Sequence, residues 1–315
     1  MSDIAVIGFA TGTDALVPVF DEALHSAGLG RREIDFWCSG SSDYLAGRAF
    51  SFVSAVDAIG AVPPISESHV EMDAAWALYE AYVKILAGEA ETALVYGFGK
   101  GTAGDLFRVL ALQTDPYTVA PLWPDAISLA ALQARLALEA GLFTEQDMAD
   151  VVGGDLAHPY TMTPLRGHDV APVADGTSAV VLASRDRAAR SRERPAWITG
   201  IAHRVDPPGL GERDLTTVGS ATSAAIEIGL DGTVDVAALH APFSSQELLL
   251  RRALRLGPGV RYLPNTQNAM FSGGLARIGA AATEIMSGRA VTAVAHATSG
   301  PLLQQNLICT LEGQS

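Results

Sequence analysis

Four side chains stand where acid–base chemistry would need them. His240 opens a short loop, His240-Ala241-Pro242-Phe243, just after the apolar run Val236–Leu239. A histidine beyond the end of a core strand suits a general base or a neutral N–H donor to a carbonyl oxygen. It equally suits a buried histidine satisfied by backbone. Glu71 and Asp73 precede a long helix-forming run, Ala74–Ala87. Carboxylates at a helix start commonly cap it and meet its dipole. Buried among apolar neighbours, they become weak acids able to move a proton. His296 ends another apolar run, Thr292–Ala295, and is the fourth candidate. Nucleophilic chemistry is poorly served, because both cysteines, Cys38 and Cys309, sit inside strand-like apolar runs. No Cys/His spacing suits a metal, and His69, His158 and His168 share none. The expectation is no metal and no tightly bound cofactor. Gly97-Phe98-Gly99-Lys100-Gly101-Thr102 lacks the spacing of a phosphate loop.

The elements that would position these residues alternate between two periodicities. Ile4–Phe9 and Ile34–Cys38 read as buried strands. Leu16–Ala27 has helical spacing and closes at Gly28, and Ala74–Ala87 is a helix stopped by Gly88 before the strand Ala93–Tyr96. Strands alternating with helices predict helices packed on a buried sheet. The formal charge of −14 argues against a nucleic-acid surface. No apolar run is long enough to span a bilayer. The N-terminal residues read as a strand rather than a signal peptide, and two isolated cysteines fit a reducing compartment, so a cytoplasmic location is expected.

An internal repeat organises the chain. Ile85-Leu-Ala-Gly88-Glu-Ala90-Glu-Thr92-Ala93-Leu94 recurs as Ile285-Met-Ser-Gly288-Arg-Ala290-Val-Thr292-Ala293-Val294. Both copies read as helix end, glycine cap and buried strand. Ile34-Asp35 is likewise matched by Val234-Asp235. The expected division is an N-terminal half, 1–185, and a C-terminal half, 186–315, joined at the arginine-rich segment Arg185–Arg194. Residues 100–170 have no counterpart in the second half and read as an inserted lid or contact region. That insertion includes a helix over Ile127–Ala140 closed by Gly141, and another capped by Thr144.

Several segments occur in the order of a known family. Gly97-Phe98-Gly99-Lys100 follows the first repeated strand, and Asp175-Gly176-Thr-Ser-Ala-Val-Val opens a later one. His240-Ala241-Pro242-Phe243 and Gly273-Gly274-Leu-Ala-Arg-Ile-Gly279 complete the set. Over nearly its whole length the chain resembles the thiolase superfamily. Within it, the chain is similar to sterol-carrier-protein-2-type thiolases and actinobacterial lipid-transfer-protein homologues. The resemblance implies an α/β, five-layer αβαβα sandwich of two duplicated halves with a lid insertion in the first. It implies a CoA thioester as substrate, with Gly273, Gly274 and Gly300 in the region that meets it.

The departures from that family bear on chemistry. Its nucleophilic cysteine falls on Glu71, or on Asp73 in a register two residues away, and neither is a thiol. The histidine of its Gly-His-Pro motif falls on Ala280. The segment that carries a second catalytic cysteine, Ala295–Pro301, has none. The chain is therefore expected not to be a thiolase by itself. One expected role is a thiolase-like subunit of a heteromeric complex acting on acyl-CoA in sterol side-chain or other lipid breakdown. A second is a retro-aldol lyase on a β-hydroxyacyl-CoA that uses His240. A third is a non-catalytic acyl-CoA or lipid carrier. Implied partners are a second thiolase-like subunit, an OB-fold protein of the DUF35 type, or another copy of the chain, with no nucleic acid and no membrane span.

Overall fold

The computed structural model describes residues 3–13, 15–46, 49–60 and 65–313. The first half contributes β1 (Ile4–Gly12), β2 (Phe36–Gly40), β3 (Ser66–Val70) and β4 (Thr92–Lys100). A small hairpin, β5 (Tyr160–Met162) with β6 (Leu165–Arg166), precedes β7 (Val173–Ser184). The second half contributes β8 (Ala196–Val205), β9 (Val236–Ala238), β10 (Arg261–Tyr262), β12 (Thr292–Ser299) and β13 (Gln305–Glu312), while the short β11 (Asn268–Ala269) pairs back onto β7. The sheet order is β3-β2-β4-β7-β1 in the first half and β10-β9-β12-β13-β8 in the second. Counted within each half by order of appearance, the main strands follow the same path. The orientations also agree. The three strands at the β3 and β10 ends pair in parallel, and the remaining neighbours pair antiparallel. The two runs meet through Ala5 opposite Trp197 and Val6 opposite Ala196.

Alternating side chains on each strand then define the layers. On β1, Ile4 and Val6 face an inner core shared with the helices Ala74–Leu86 and Gly273–Met286. Ala5 and Ile7 face outward onto Val19, Phe20 and Leu24 of the helix Leu16–Ala27. On β12, Ala293 and Ala295 face the same inner core, while Val294 faces the helices Gly219–Glu227 and Ser244–Ala253. The result is helix, sheet, paired central helices, sheet and helix. The alanine-rich composition of the central helices lets two sheets and two helices share one core at close range.

The repeat is visible in side-chain detail. The Asp35 carboxylate accepts the N–H groups of Glu91 (2.9 Å) and Thr92 (3.1 Å), and the Asp35 N–H donates to Thr92 Oγ1 at 3.1 Å. Asp235 accepts Val291 N–H (2.8 Å) and Thr292 N–H (2.9 Å), and donates its own N–H to Thr292 Oγ1 at 3.1 Å. Each aspartate fastens the chain before its parallel strand to the turn that ends the central helix. Gly88 (φ 75°) and Gly288 (φ 74°) make the left-handed turns that stop those helices.

The insertion forms helices over Leu106–Leu112, Ala126–Glu139 and Glu145–Val152. Its alanines 130, 131, 134 and 137 pack with the outer core of the second half, not the first. The lid of one half thus roofs the other. Several boundaries differ from the sequence expectation by a few residues; β4, for example, covers Thr92–Lys100 rather than Ala93–Tyr96. The strand expected over Ile34–Cys38 runs over Phe36–Gly40, because Asp35 is committed to the bracket described above. The arginine-rich connector forms a helix over Arg185–Ser191. Among the described residues, no helix is long and apolar enough to cross a membrane.

Candidate active site

The central helices begin side by side, and one carboxylate serves both. Asp73 caps Ala74–Leu86 by accepting the Ala75 N–H at 2.9 Å. It also accepts Gly274 N–H (2.9 Å) and Leu275 N–H (3.1 Å) from the start of Gly273–Met286. Ser272, which precedes that second helix, makes no capping bond of its own. Oδ1 therefore takes two N–H groups and Oδ2 one. Asp73 is 3% exposed. Burial pushes its carboxyl up from the ordinary carboxylate value, and the three N–H donors pull it back. Both helix dipoles also point their positive ends at it.

Asp73 and His240 line one cavity of about 180 Å³. His240 is 5% exposed, and neither ring nitrogen has a partner in hydrogen-bond geometry among the described residues. Burial holds the ring down at about 4, with the Arg277 charge acting in the same direction and the neighbouring Asn268 amide opposing it. A Cβ on Gly273 would lie 2.9 Å from His240 Nε2, so the ring rests against the first residue of the second central helix. A positive helix end there disfavours an imidazolium. The ring is neutral at neutral pH, with one N–H to donate and one lone pair to accept.

The other walls come from distant parts of the chain. Leu110, Thr114 and Leu129 descend from the insertion, and Met270 and Phe271 precede the second central helix. Gly300, Leu302 and Leu303 follow β12. Phe271, Leu302 and Leu303 take left-handed backbone conformations at φ 64°, 59° and 55°. Such strain in non-glycine residues gathers at functional sites. Nothing in the sequence marks these three residues, because their conformation is imposed from outside. The Phe271 carbonyl, for example, accepts the Ala74 N–H at 3.0 Å.

Of the residues singled out from sequence, the cavity brings together Asp73, His240 and Gly300. Gly273 and Gly274 stand directly behind it, against His240 and Asp73 respectively. His296 is near but faces away. Its backbone carbonyl accepts the His240 N–H at 3.2 Å, while its side chain lies on the opposite face of β12, bonded through Nε2 to Asn306 Oδ1 at 2.8 Å. Burial holds His296 down at about 3.

Glu71 lies outside the cavity. It is exposed at the end of β3, accepts the Asp43 N–H at 2.6 Å and faces His69 Nε2 at 3.3 Å. The turn between β3 and the helix, not strand alternation, sends Glu71 outward and Asp73 inward. Glu71→Ala is expected to cost less than about 1 kcal/mol, as for exposed ion pairs. It is also expected to leave ligand binding at His240 unchanged; a change in ligand affinity measured by calorimetry would contradict this placement. Asp43, His69 and Glu71 bring possible metal-ligand atoms within 4.8 Å of one another. Their groups are already committed to each other, to the N–H groups of Phe50 and Ser51, and to the Ser39 hydroxyl.

The cysteines take no part in the cavity. Cys38 and Cys309 are both wholly buried in the inner core. Burial pushes both thiols up, Cys309 to about 12, so neither supplies a thiolate at neutral pH.

The two depressed histidines make stability depend on pH with a definite sign. Their folded values lie below the ordinary 6.5, so the unfolded chain takes up protons first as pH falls. Their contribution is complete above about 6.5 and is lost as pH drops toward 4 for His240 and 3 for His296. Each contributes a slope of about 1.4 kcal/mol per pH unit inside that window. Urea unfolding between pH 7 and pH 5 should show a shallower slope in His296→Gln than in the wild type. Equal slopes would rule out a buried neutral His296.

The architecture is the thiolase fold. No family model matches the sequence, and no curated protein matches it. The likeness is to solved structures. The Ltp2-ChsH2(DUF35) aldolase superposes with a TM-score of 0.77 at 16% identity, over 98% of this chain and 97% of that one. Human mitochondrial 3-ketoacyl-CoA thiolase in complex with CoA gives 0.70 at 14%, over 100% and 98%. The Bacillus anthracis acetyl-CoA acetyltransferase gives 0.74 at 14%, over 100% and 99%.

Proposed function

We propose that this chain binds an acyl-CoA thioester in the His240 cavity and acts on it without a covalent acyl-enzyme, as a subunit of a heteromeric complex. The observation that carries the reading is that Asp73 and a neutral His240 with no hydrogen-bond partner line one cavity, which neither cysteine lines. Carbon–carbon bond chemistry on a thioester needs a base and a donor for the enolate oxygen. In this reading His240 and Asp73 divide these roles. His240, held neutral against a helix N-terminus, suits the donor; a base with a value near 4 would be weak. Asp73 Oδ2 accepts a single N–H and keeps a lone pair for a proton.

The reaction that fits is retro-aldol cleavage of a β-hydroxyacyl-CoA. Asp73 takes the β-hydroxyl proton, the Cα–Cβ bond breaks, and its electron pair enters the thioester. The former Cβ becomes a ketone or aldehyde. His240 donates to the enolate oxygen until Cα takes up the proton held by Asp73, which leaves a shortened acyl-CoA and restores the carboxylate. The aldolase with the same fold, whose complex includes a DUF35 chain, supports an OB-fold partner here. A second thiolase-like chain or a second copy remains part of the proposed assembly, with sterol side-chain or related acyl groups as the substrate class.

The test is purification of the native complex with mass spectrometry of its chains and bound ligands, followed by assay of β-hydroxyacyl-CoA cleavage. An acyl group stably attached to the chain from a radiolabelled acyl-CoA would overturn the non-covalent reading.

A further inference from the structure

The wall of the cavity formed by the helix Ser244–Ala253 carries a polar side chain. Gln246, in the first turn of that helix, is 4% exposed and lines the cavity. Its amide orientation is fixed from behind. Gln133, fully buried in the lid helix Ala126–Glu139, donates through Nε2 to the carbonyl oxygens of Leu215 (3.1 Å) and Leu302 (3.5 Å). That leaves Gln133 Oε1 as an acceptor, and it takes a hydrogen from Gln246 Nε2 at 3.2 Å. With its nitrogen held by Gln133, Gln246 turns Oε1 the other way. Among the described residues, that oxygen has no protein partner. Thr114, on the same cavity, donates its hydroxyl hydrogen to the Ala111 carbonyl at 2.6 Å. It too presents only lone pairs.

We infer that the acyl group carries a hydroxyl beyond the reacting carbons, and that Gln246 Oε1, oriented by Gln133, accepts a hydrogen bond from it. A plain hydrocarbon would bury an acceptor unpaired, at a cost of about 1–3 kcal/mol. A ketone in the same place would set oxygen against oxygen. The relay through Gln133 also ties this preference to the lid, since the lid helix supplies the group that orients Gln246.

This inference rests on the acyl-CoA reading of the cavity, and a binding measurement separates the two. The full-length chain, with its partner if one co-purifies, is titrated by calorimetry with straight-chain acyl-CoAs. Each chain length is supplied as the plain form and with a keto or a hydroxy group on the penultimate carbon. At the length that reaches Gln246, the hydroxy form is expected to bind about tenfold more tightly than the other two, the effect of one hydrogen bond. In Gln246→Met that preference is expected to vanish. If acyl-CoAs bind but the three forms bind alike, or if the keto form equals the hydroxy form, the inference fails while the acyl-CoA reading stands. If no acyl-CoA binds, both fail. The wild-type comparison decides the matter even if Gln246→Met does not fold.

Discussion

His240→Ala is expected to lower kcat for cleavage of a β-hydroxyacyl-CoA by about a hundred- to a thousandfold, the usual effect of deleting one enolate or oxyanion donor. The loss should fall mainly on kcat. The hydrogen bond strengthens only as charge moves onto the thioester oxygen, so ground-state binding depends on it little. His240→Asn, which keeps an N–H near the same place, should retain more activity than His240→Ala. Because the ring stays neutral down to about pH 4, the wild-type rate should show no limb from His240 between pH 6 and pH 8. A limb near 6.5 that disappears in His240→Asn would mean instead that the ring works as a base. Unchanged kcat in His240→Ala would remove the residue from the chemistry.

Asp73→Ala is expected to be the most damaging single substitution for stability, by about 3–5 kcal/mol. It removes one helix cap and strands three buried N–H groups. Asp73→Asn should be only a partial remedy, because an amide nitrogen placed at Oδ2 would oppose the Gly274 N–H. The vacated site would sit at two helix N-termini, an arrangement that attracts small anions. Formate should therefore raise the melting temperature of Asp73→Ala while leaving the wild type unaffected. Equal responses in the two proteins would show that the carboxylate is not what joins the helices.

The course of the chain was largely legible in the sequence, since hydrophobic period and glycine stops are local signals. The Ile85–Leu94 and Ile285–Val294 repeat marked the duplicated topology, and Asp35 and Asp235 mark it again in three dimensions. The site was legible only in part. His240 and Asp73 stood out because a loop histidine and a pre-helix carboxylate have few common uses. Glu71 looked equivalent to Asp73, because one-dimensional spacing cannot say which of two neighbouring carboxylates turns inward. His296 looked equivalent to His240 until strand alternation set it on the far face of β12. Gln246 and Gln133 carried no signal at all. Their significance lies in a contact between residues 113 positions apart.

The bracket aspartates are the same in both halves, but the site residues are not. Two hundred residues before His240 stands Gly40, where a Cβ would lie 2.4 Å from the Ala74 backbone. Two hundred residues after Asp73 stands Gly273, where a larger side chain would crowd His240. A duplicated fold offers two equivalent places for a site, and here one is filled with main chain so that the other can open. The halves have become complementary parts rather than copies. A chain built from two first halves would set two carboxylates where there are donors for one. A chain built from two second halves would have none to join its central helices.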